Sequence, residues 1–274
     1  MDASSTRAVS PWPYSPADLR LTGDEIHVWC AALDELAPGL SSFAETLSSS
    51  ECDRAERFRF ERDRTRFIIR HGLLRMLLGR YLDIEPARLS FNCEPRGKPV
   101  LSGLASGQTL HFNLSHSDGV ALFGFARLFP LGVDIERIRS VPEADEIAAK
   151  FFSTRESAVL NAAAVEQKLE SFFNCWTRKE AYLKATGEGI ADALPLIEVS
   201  IAPDQPAQLL SIAGDTQAAS GWSLHAFMPL PGFVGAMAVK QSDVKLACWQ
   251  WARAVGGRGT QPVLTRTVMR QRID

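Results

Sequence analysis

The sequence predicts an α+β protein made of two similar, pseudo-symmetric subdomains, and two observations support this fold class. A long helical stretch followed by short apolar strands occurs twice along the 274 residues. Each copy also ends in a similar pair of runs: L-H-F then G-V-A-L-F-G-F-A at 110–126, and L-H-A-F then G-F-V-G-A-M-A-V at 224–239. We expect the two halves to meet near Phe129–Leu131, with a functional site at their interface.

The first half begins with a Pro/Ser-rich lead over residues 1–20, which we expect to be a flexible arm. The run Glu25–Leu33 alternates between apolar and other side chains, which predicts a first strand. A helical stretch follows from about Ser50 to Leu82, with one or two breaks; it is densely charged at first and amphipathic later. Phe91–Leu101 predicts two strands around a tight turn that contains Gly97 and Pro99.

Three further strands complete the first half and begin the second. Leu110–Leu114 and Val120–Ala126 flank the polar stretch Ser115–Gly119, which predicts a turn between two strands. Gly132–Glu136 is the next apolar run and predicts a fifth strand.

The second half is expected to repeat this order. Helices are predicted near Ala144–Phe151, through Leu160, and over Phe172–Thr186, with Ser153 or Thr154 as an N-cap. Four strands are then predicted at Leu196–Ile201, Ala207–Leu210, Trp222–Phe227 and Gly232–Val239. We therefore divide the chain into an arm (1–20), an N-terminal subdomain (21–131), a C-terminal subdomain (132–250) and a mobile basic tail (251–274).

Composition limits the classes of function. A hydrophobic fraction of 46% and a charged fraction of 23% are typical of a soluble globular protein. A net charge of −2 argues against a general nucleic-acid or membrane surface. The five cysteines show no C-x-x-C spacing, which favours reduced thiols in the cytoplasm over disulfides or a zinc site. We expect neither a secretion signal nor a membrane span, because no apolar run approaches about 18 residues.

Two motifs carry the chemistry. Asp134 and Glu136 are two residues apart in G-V-D-I-E, so on a strand both point to one face. Glu180 and Lys184 are four apart in W-T-R-K-E-A-Y-L-K, so on a helix they are neighbours. Each motif alone is more often a solvated face or a surface ion pair. Their apolar surroundings favour function, and together they predict a magnesium–phosphate site.

With these motifs in order, the chain resembles a known family. F-N-L-S-H-S, R-G-K-P, G-V-D-I-E and W-x-x-K-E-A-x-x-K-x-x-G resemble the motifs of Sfp-type 4′-phosphopantetheinyl transferases, in the W/KEA subgroup. The resemblance covers roughly Arg54 to Val239. It implies transfer of the 4′-phosphopantetheine of coenzyme A to a serine of an apo acyl or peptidyl carrier protein, with release of adenosine 3′,5′-bisphosphate.

The resemblance also implies roles for individual residues. Asp134, Glu136 and Glu180 are expected to hold Mg²⁺, with Mn²⁺ as an alternative. Glu180, directly or through water, is expected to be the base for the serine, and Lys184 to stabilise or protonate the departing phosphate. Contacts with coenzyme A are expected from Arg66, Arg96, Gly97, Lys98, Pro99, Asn113, Ser115, His116 and Lys184. Arg54 is a weaker candidate for the 3′-phosphate.

Partners and location follow from the same resemblance. We expect a cytoplasmic monomer that acts on acidic carrier proteins of fatty-acid, polyketide or nonribosomal-peptide synthesis, with no nucleic acid or membrane as partner. The remaining arginines between Arg54 and Arg75 are expected to form a salt-bridged helix face or to meet such a carrier.

Two other functions agree less well with the sequence. An arginine-rich nucleic-acid binder would use the same helix, but it explains neither D-I-E nor K-E-A-x-x-K. An inactive relative that only binds coenzyme A or a carrier would be expected to lack one of the acids or the lysine, and here all are present.

Overall fold

A computed structural model describes residues 11–93, 97–105, 108–187 and 193–251. The described α-helices are α1 (Leu40–Ala44), α2 (Ser49–Glu56), α3 (Glu61–Leu82), α4 (Ala144–Phe151), α5 (Thr154–Ala162), α6 (Val165–Thr186) and α7 (Thr216–Ser220). The first-half strands are β1 (Glu25–Ala32), β2 (Ser90–Cys93), β3 (Pro99–Ser102), β4 (His111–Ser117) and β5 (Val120–Ala126). The later strands are β6 (Leu131–Arg137), β7 (Ile197–Val199), β8 (Leu209–Ile212), β9 (Ser223–Phe227), β10 (Phe233–Val239) and β11 (Lys245–Gln250).

The sheet order confirms the α+β class and the two similar halves. The first sheet contains β1-β5-β4 and the second β6-β10-β9, and neighbours in both series are antiparallel. Each half also has a two-stranded hairpin, β2–β3 or β7–β8. The long helices α3 and α6 contain 22 residues each. The same succession of helix, hairpin and strands therefore forms twice.

Alternating side chains place these elements in four layers, because successive residues of a strand face opposite sides. On β5, Ala121, Phe123 and Phe125 pack in the cluster that contains the apolar face of α3. Val120 and Leu122 point the other way, into a central cluster that they share with Val133 and Met237 of the second sheet. The second sheet packs its other face on α6. The two sheets thus lie face to face between the two long helices.

Local sequence explains where several elements begin. Ser153 is the N-cap of α5 as predicted, and it forms a capping box with Glu156. A second capping box, formed by Ser48 and Glu51, starts α2. Among the described residues, none of the helices combines the length and the apolar character that a membrane span requires.

The predicted polar turn Ser115–Gly119 is wrong in its extent. Strand β4 continues to Ser117, so the turn contains only Asp118 and Gly119, whose φ angles are +41° and +86°. Two residues with positive φ form the kind of turn that suits a tight hairpin. The strand can continue through two serines because their hydroxyls are paired with carboxylates, as described below.

The end of the chain differs from the expected division as well. Strand β11, which was not predicted, joins the first sheet by pairing in parallel with β1, although 132–250 was assigned to the second half. Pro13 and Tyr14 of the expected arm lie beside it, and the Gln250 N–H donates to the Pro13 carbonyl at 2.8 Å. Aromatic packing accompanies this pairing, since the ring centres of Trp249 and Trp29 lie 6.5 Å apart. The boundary at 131/132 stays a prediction, and residues 1–10 and 252–274 lie outside the described ranges.

Candidate active site

The site forms where β6 and α6 touch. At Gly132 an added Cβ would lie 2.0 Å from the Ala181 carbonyl oxygen and 2.5 Å from the Ala185 nitrogen, so helix and strand are in direct backbone contact. Two residues along β6, Asp134 faces the same helix. The Lys184 Nζ lies 2.5 Å from Asp134 Oδ1. The close approach at glycine therefore brings the two sequence motifs together.

Strand β4 of the first half lies along the other side of β6. The Asn113 Oδ1 accepts from the Val133 N–H at 2.8 Å, which joins the two strands. Ser115 Oγ then donates to Asp134 Oδ1 at 2.7 Å. Strands of the two halves therefore meet at the place where the sequence predicts the site. Asn113 and Ser115, both predicted to bind coenzyme A, are here in contact with protein groups.

Asp134 is the most deeply placed carboxylate of the site. Its exposed fraction is 4%, and its Oδ2 atom is buried without a hydrogen-bond partner. Burial raises the pKa of Asp134, and the nearby Lys184 and Ser115 oppose that rise. A buried carboxylate oxygen that no protein group satisfies is costly. An unsatisfied buried oxygen of this kind supports the predicted role of Asp134 as a metal ligand.

Glu136 and Glu180 share this environment. Burial is the main cause that raises the pKa of Glu180 to about 7, and the negative charge of Asp134 adds to it. Burial also raises the pKa of Glu136, although the hydrogen bond from Ser117 opposes this. The charge of Asp134 raises the pKa of both glutamates, and that of Glu136 adds to the rise at Glu180, so negative charge is concentrated here.

These carboxylates are of the kind that binds a hard cation, but they do not form a complete coordination site. Within the described ranges, no group of three or more His, Cys, Asp or Glu side chains stands close enough to hold a metal ion. Lys184 and Ser115 instead occupy one oxygen of Asp134. The unsatisfied Asp134 Oδ2 and the all-oxygen donor set suit Mg²⁺ or Mn²⁺, which prefer oxygen ligands. The assignment of Asp134, Glu136 and Glu180 as ligands stays a prediction.

Basic side chains border the acidic ones. His116, near the end of β4, has its pKa lowered to about 4, by burial first and then by Arg70, Lys184 and His71. Burial lowers the pKa of Arg70 to about 10, and its Nε is buried without a hydrogen-bond partner. His71 stacks on Phe67 with ring centres 3.9 Å apart. These groups form what we call the basic cluster: Arg70, His71, His116 and Lys184. Arg70 and Lys184 carry the positive charge of this cluster, and the two neutral imidazoles can each donate one N–H, so the cluster suits an anion.

Arg70 was missed by sequence reasoning, which singled out Arg66 on the same helix. Arg66 donates from Nε and Nη2 to the two carboxylate oxygens of Asp34, at 2.7 and 2.6 Å. Arg70 follows one turn later, directly after the buried Ile68 and Ile69. An arginine inside an apolar helical run was the signal that could have identified it. The role predicted for Arg66 stays a prediction.

The predicted turn at 96–99 borders the site. Arg96 lies outside the described residues, and Gly97 has a φ of +83°. Lys98 Nζ donates to the Lys184 carbonyl oxygen at 2.8 Å, so the turn touches the C-terminal end of α6. Pro99 begins β3. A cavity of about 440 Å³ opens beside Lys98 and Pro99, and Leu101, Leu104, His111 and Pro130 are among its other lining residues.

Comparison with known proteins agrees with this geometry. Residues 130–238 match the family model of the 4′-phosphopantetheinyl transferase superfamily. Residues 35–124 match the model described as the N-terminal part of 4′-phosphopantetheinyl transferase. The two matches fall on the two halves of the fold and contain the strands and helices that form the site.

Individual relatives give the same result. The chain is similar to the 4′-phosphopantetheinyl transferase HetI of Nostoc, with 42% identity over 228 residues, 83% of this chain and 93% of HetI. It is 36% identical to psf-1 of Bacillus pumilus over 57% of this chain and 64% of that protein. It is 29% identical to Sfp of Bacillus subtilis over 61% of this chain and 71% of Sfp. The chain therefore belongs to the 4′-phosphopantetheinyl transferase superfamily and is of the Sfp type.

Proposed function

We propose that this protein transfers the 4′-phosphopantetheine group of coenzyme A to a serine hydroxyl of an apo acyl or peptidyl carrier protein, releasing adenosine 3′,5′-bisphosphate. The observation that carries this proposal is the meeting of a buried carboxylate group with a basic cluster at the interface of the halves. Asp134 and Glu180 supply the acidic side, and Arg70 and Lys184 supply the positive charge, with the neutral imidazole of His116 between them. A pyrophosphate substrate with a bound cation needs both.

Coenzyme A carries a pyrophosphate and a 3′-phosphate, so its binding needs several positive charges. Arg70 and Lys184 are near His116 and lie beside the carboxylates. Charged donors such as Arg70 and Lys184 make the stronger hydrogen bonds to phosphate oxygens, and the neutral His116 can donate one ring N–H. The guanidinium of Arg54 lies 5.4 Å from the Phe67 ring that also packs on His71, which extends the positive surface outwards. The cavity beside Lys98 is large enough to take part of the nucleotide.

Asp134, Glu136 and Glu180 would hold the divalent cation, Mg²⁺ or Mn²⁺. When bound, the cation neutralises negative charge on the pyrophosphate and orients it. The unsatisfied Asp134 Oδ2 supports this assignment, because no protein donor competes for it.

The protein's own groups supply the proton transfers. Glu180 would accept the proton of the attacking serine hydroxyl, directly or through water. A bond forms between the serine oxygen and the phosphorus that carries the pantetheine arm, and the bond from that phosphorus to the bridging pyrophosphate oxygen breaks. Lys184 donates a hydrogen bond to the departing phosphate. Transfer of this kind depends mainly on positioning and electrostatic stabilisation.

The carrier is proposed to be acidic and to approach the arginine-rich segment around α2 and α3. Arg57 and Arg59 are exposed, and among the described residues neither forms an ion pair. Opposite charge on a partner would speed their encounter. We further propose that the protein acts as a cytoplasmic monomer, with neither nucleic acid nor membrane as partner. The net charge of −2 supports the latter point.

The test of transfer is mass spectrometry of a panel of apo carrier proteins incubated with this protein, coenzyme A and Mg²⁺. We expect a mass gain of one phosphopantetheine group on at least one carrier. Glu180→Gln should abolish the gain, whereas Glu166→Gln, the same change on an exposed position of α6, should retain it. Absence of any gain across fatty-acid, polyketide and nonribosomal-peptide carriers would contradict the proposal.

A second test addresses the basic cluster. Arg70→Gln and His116→Ala should weaken the binding of coenzyme A, seen as a higher KM for coenzyme A with a smaller change in kcat. Arg62→Gln removes an exposed arginine of the same helix and should leave the KM for coenzyme A unchanged. Equal KM values for wild type and Arg70→Gln would refute the anion site.

A further inference from the structure

We propose that Ser117 is a positioning residue that holds Glu136 with one carboxylate oxygen open to the site, and thereby sets the affinity for the divalent cation. The inference rests on the proposed function, since it assumes that a cation binds there. It is carried by a repeated contact between β4 and β6 that the sequence motifs do not reveal.

Two serines of β4 face two carboxylates of β6 in the same way. Ser115 Oγ donates to Asp134 Oδ1 at 2.7 Å, and Ser117 Oγ donates to Glu136 Oε2 at 2.6 Å. The serines are two residues apart, as are the acids, so each set lies on one face of its strand. The S-x-S of the first half therefore matches the D-x-E of the second, pair by pair.

In each pair the serine hydroxyl donates to one carboxylate oxygen and makes no hydrogen bond to the other. Asp134 Oδ2 is buried without a hydrogen-bond partner. In the described part of the chain, Glu136 makes no side-chain hydrogen bond besides that from Ser117. A carboxylate with one oxygen held and one oxygen open can offer a single, oriented ligand atom. Because the two acids are two residues apart, both carboxylates lie on the same face of β6.

The direction of the Ser117 hydroxyl is determined by its neighbours. A hydroxyl has one proton to donate and accepts through its lone pairs. The Arg137 backbone N–H donates to Ser117 Oγ at 3.2 Å, so this contact uses a lone pair. The single Ser117 proton goes to Glu136. Ser115 differs because it also accepts from Lys184 Nζ at 3.0 Å, which ties it to a catalytic group. A change at Ser117 therefore tests the positioning of Glu136 without removing a hydrogen bond of Lys184.

The turn that follows Ser117 is braced on both sides. Asp118 forms an ion pair with Arg137 and lies 3.5 Å from Arg66 Nη1. Arg66 in turn binds Asp34, so four alternating charges connect β6, the turn, α3 and the segment after β1. A Cβ at Gly119 would lie 2.8 Å from Arg66 Nη2, which leaves the turn little room to shift. These contacts restrict the turn and so help to keep the Ser117 hydroxyl within hydrogen-bond distance of Glu136.

Partners that orient metal ligands usually change metal affinity by roughly 10-fold to 100-fold when they are removed. Ser117→Ala should therefore weaken cation binding within that range, because Glu136 then samples several rotamers. Ser117→Thr keeps a hydroxyl at the same carbon and should restore most of the affinity. The rate of transfer at saturating Mg²⁺ should change far less than the Mg²⁺ concentration that gives half of that rate.

The experiment is a Mn²⁺ titration of the intact protein followed by electron paramagnetic resonance of free Mn²⁺, with and without coenzyme A. The control is Ser211→Ala, which removes another serine that donates to a glutamate, Glu198, at 3.2 Å in the β7–β8 hairpin. We expect the control to bind Mn²⁺ like wild type, and Ser117→Ala to bind it about 10-fold or more weakly. Thermal unfolding of each variant shows whether it is folded.

Each outcome bears on the inference in a defined way. Equal Mn²⁺ affinity of wild type and folded Ser117→Ala would overturn it while leaving the transferase function intact. Weak binding by both Ser117→Ala and Ser117→Thr would also overturn it, because the hydroxyl would then not be the cause. If wild type bound no Mn²⁺ with coenzyme A present, the metal assignment of the proposed function would fail together with the inference.

Discussion

Lys179 and Glu180 are adjacent residues with opposite surroundings. Lys179 Nζ lies 2.6 Å from Glu156 Oε2, and each side chain is 1% exposed. The same ammonium donates to the carbonyl oxygens of Phe151 and Leu194, at 3.0 Å each. Lys179 thus ties α6 to the end of α4, to the start of α5 and to the turn before β7. Lys179 is therefore held by structural contacts, whereas Glu180 lies beside Asp134 in the candidate site.

Lys179→Met should destabilise the protein strongly. Removal of one partner of a buried ion pair leaves an uncompensated charge, here on Glu156, at a cost of about 3–5 kcal/mol in the free energy of unfolding. Urea denaturation measures this difference. Lys168→Met is the matched control on an exposed position of α6 and should change stability by no more than about 0.5 kcal/mol. Equal midpoints for the two variants would contradict the structural role of Lys179.

His27 should make the stability of the fold depend on pH. It is 3% exposed, its Nδ1 lies 2.8 Å from the Tyr81 hydroxyl, and burial lowers its pKa to about 4. The unfolded chain, with a histidine pKa of about 6.5, binds more protons between these values. Stability contributed by neutral His27 is therefore present above about pH 6.5 and is lost as the pH falls towards 4.

His27→Asn removes this titration and keeps a polar side chain opposite Tyr81. We expect its free energy of unfolding to fall less steeply than that of wild type between about pH 6.5 and pH 4, by up to about 1.4 kcal/mol per pH unit. Urea denaturation at a series of pH values measures both slopes. Parallel slopes would show that His27 does not titrate in this range.

Among the elements, the pairing of β6 with α6 decides where the site forms. Gly132 allows the strand to touch the helix backbone. This close approach brings Asp134 within contact distance of Lys184. The sequence predicted both elements, because G-V-D-I-E is an apolar run and Phe172–Thr186 is helical. Their distance could not be predicted, since it depends on a missing Cβ rather than on any periodicity.

Gly132→Ala should disrupt this pairing. A Cβ placed 2.0 Å from a carbonyl oxygen requires backbone movement, so we expect a large drop in the temperature of unfolding and loss of transferase activity. Gly221→Ala is the control, because an added Cβ there meets nothing within 4 Å. Calorimetry and the transfer assay on both variants give the comparison. Normal activity in Gly132→Ala would show that the helix can move aside without harm.

For the molecule as a whole, the central cluster joins the two halves into one cooperative unit. Leu122 of the first sheet and Met237 of the second are both fully buried in it. Strand β11 adds a second connection, because it follows the second half in sequence and pairs with β1 of the first. Neither half can expose its share of this surface without a large loss of hydrophobic stabilisation.

We therefore expect thermal unfolding of this protein to show a single calorimetric transition. Leu122→Ala should lower the stability of both halves together, by about 2–5 kcal/mol, without splitting the transition. Leu128→Ala changes an exposed leucine and should have little effect. Two separate transitions in Leu122→Ala would show that the halves unfold independently.

The sequence by itself determined the class of fold and the repeated order of elements, and it predicted which acids and which lysine form the candidate site. Local patterns contain that information: alternation marks strands such as Val120–Ala126, capping marks the start of α5, and the spacing in D-I-E and K-E-A-x-x-K places side chains on one face. The family resemblance added the roles that we propose for these residues. Local order of this kind is encoded within a few neighbouring residues.

Only the tertiary structure decided the contacts between distant segments. It paired β11 with β1, bound Arg66 to Asp34, brought Arg70 to His116 and set Ser117 against Glu136. Each contact joins residues that are far apart in the sequence. It forms only because particular faces of the sheets and helices pack together. A pattern along the chain states which way a side chain points, but the partner that it meets depends on how the two sheets and two long helices pack.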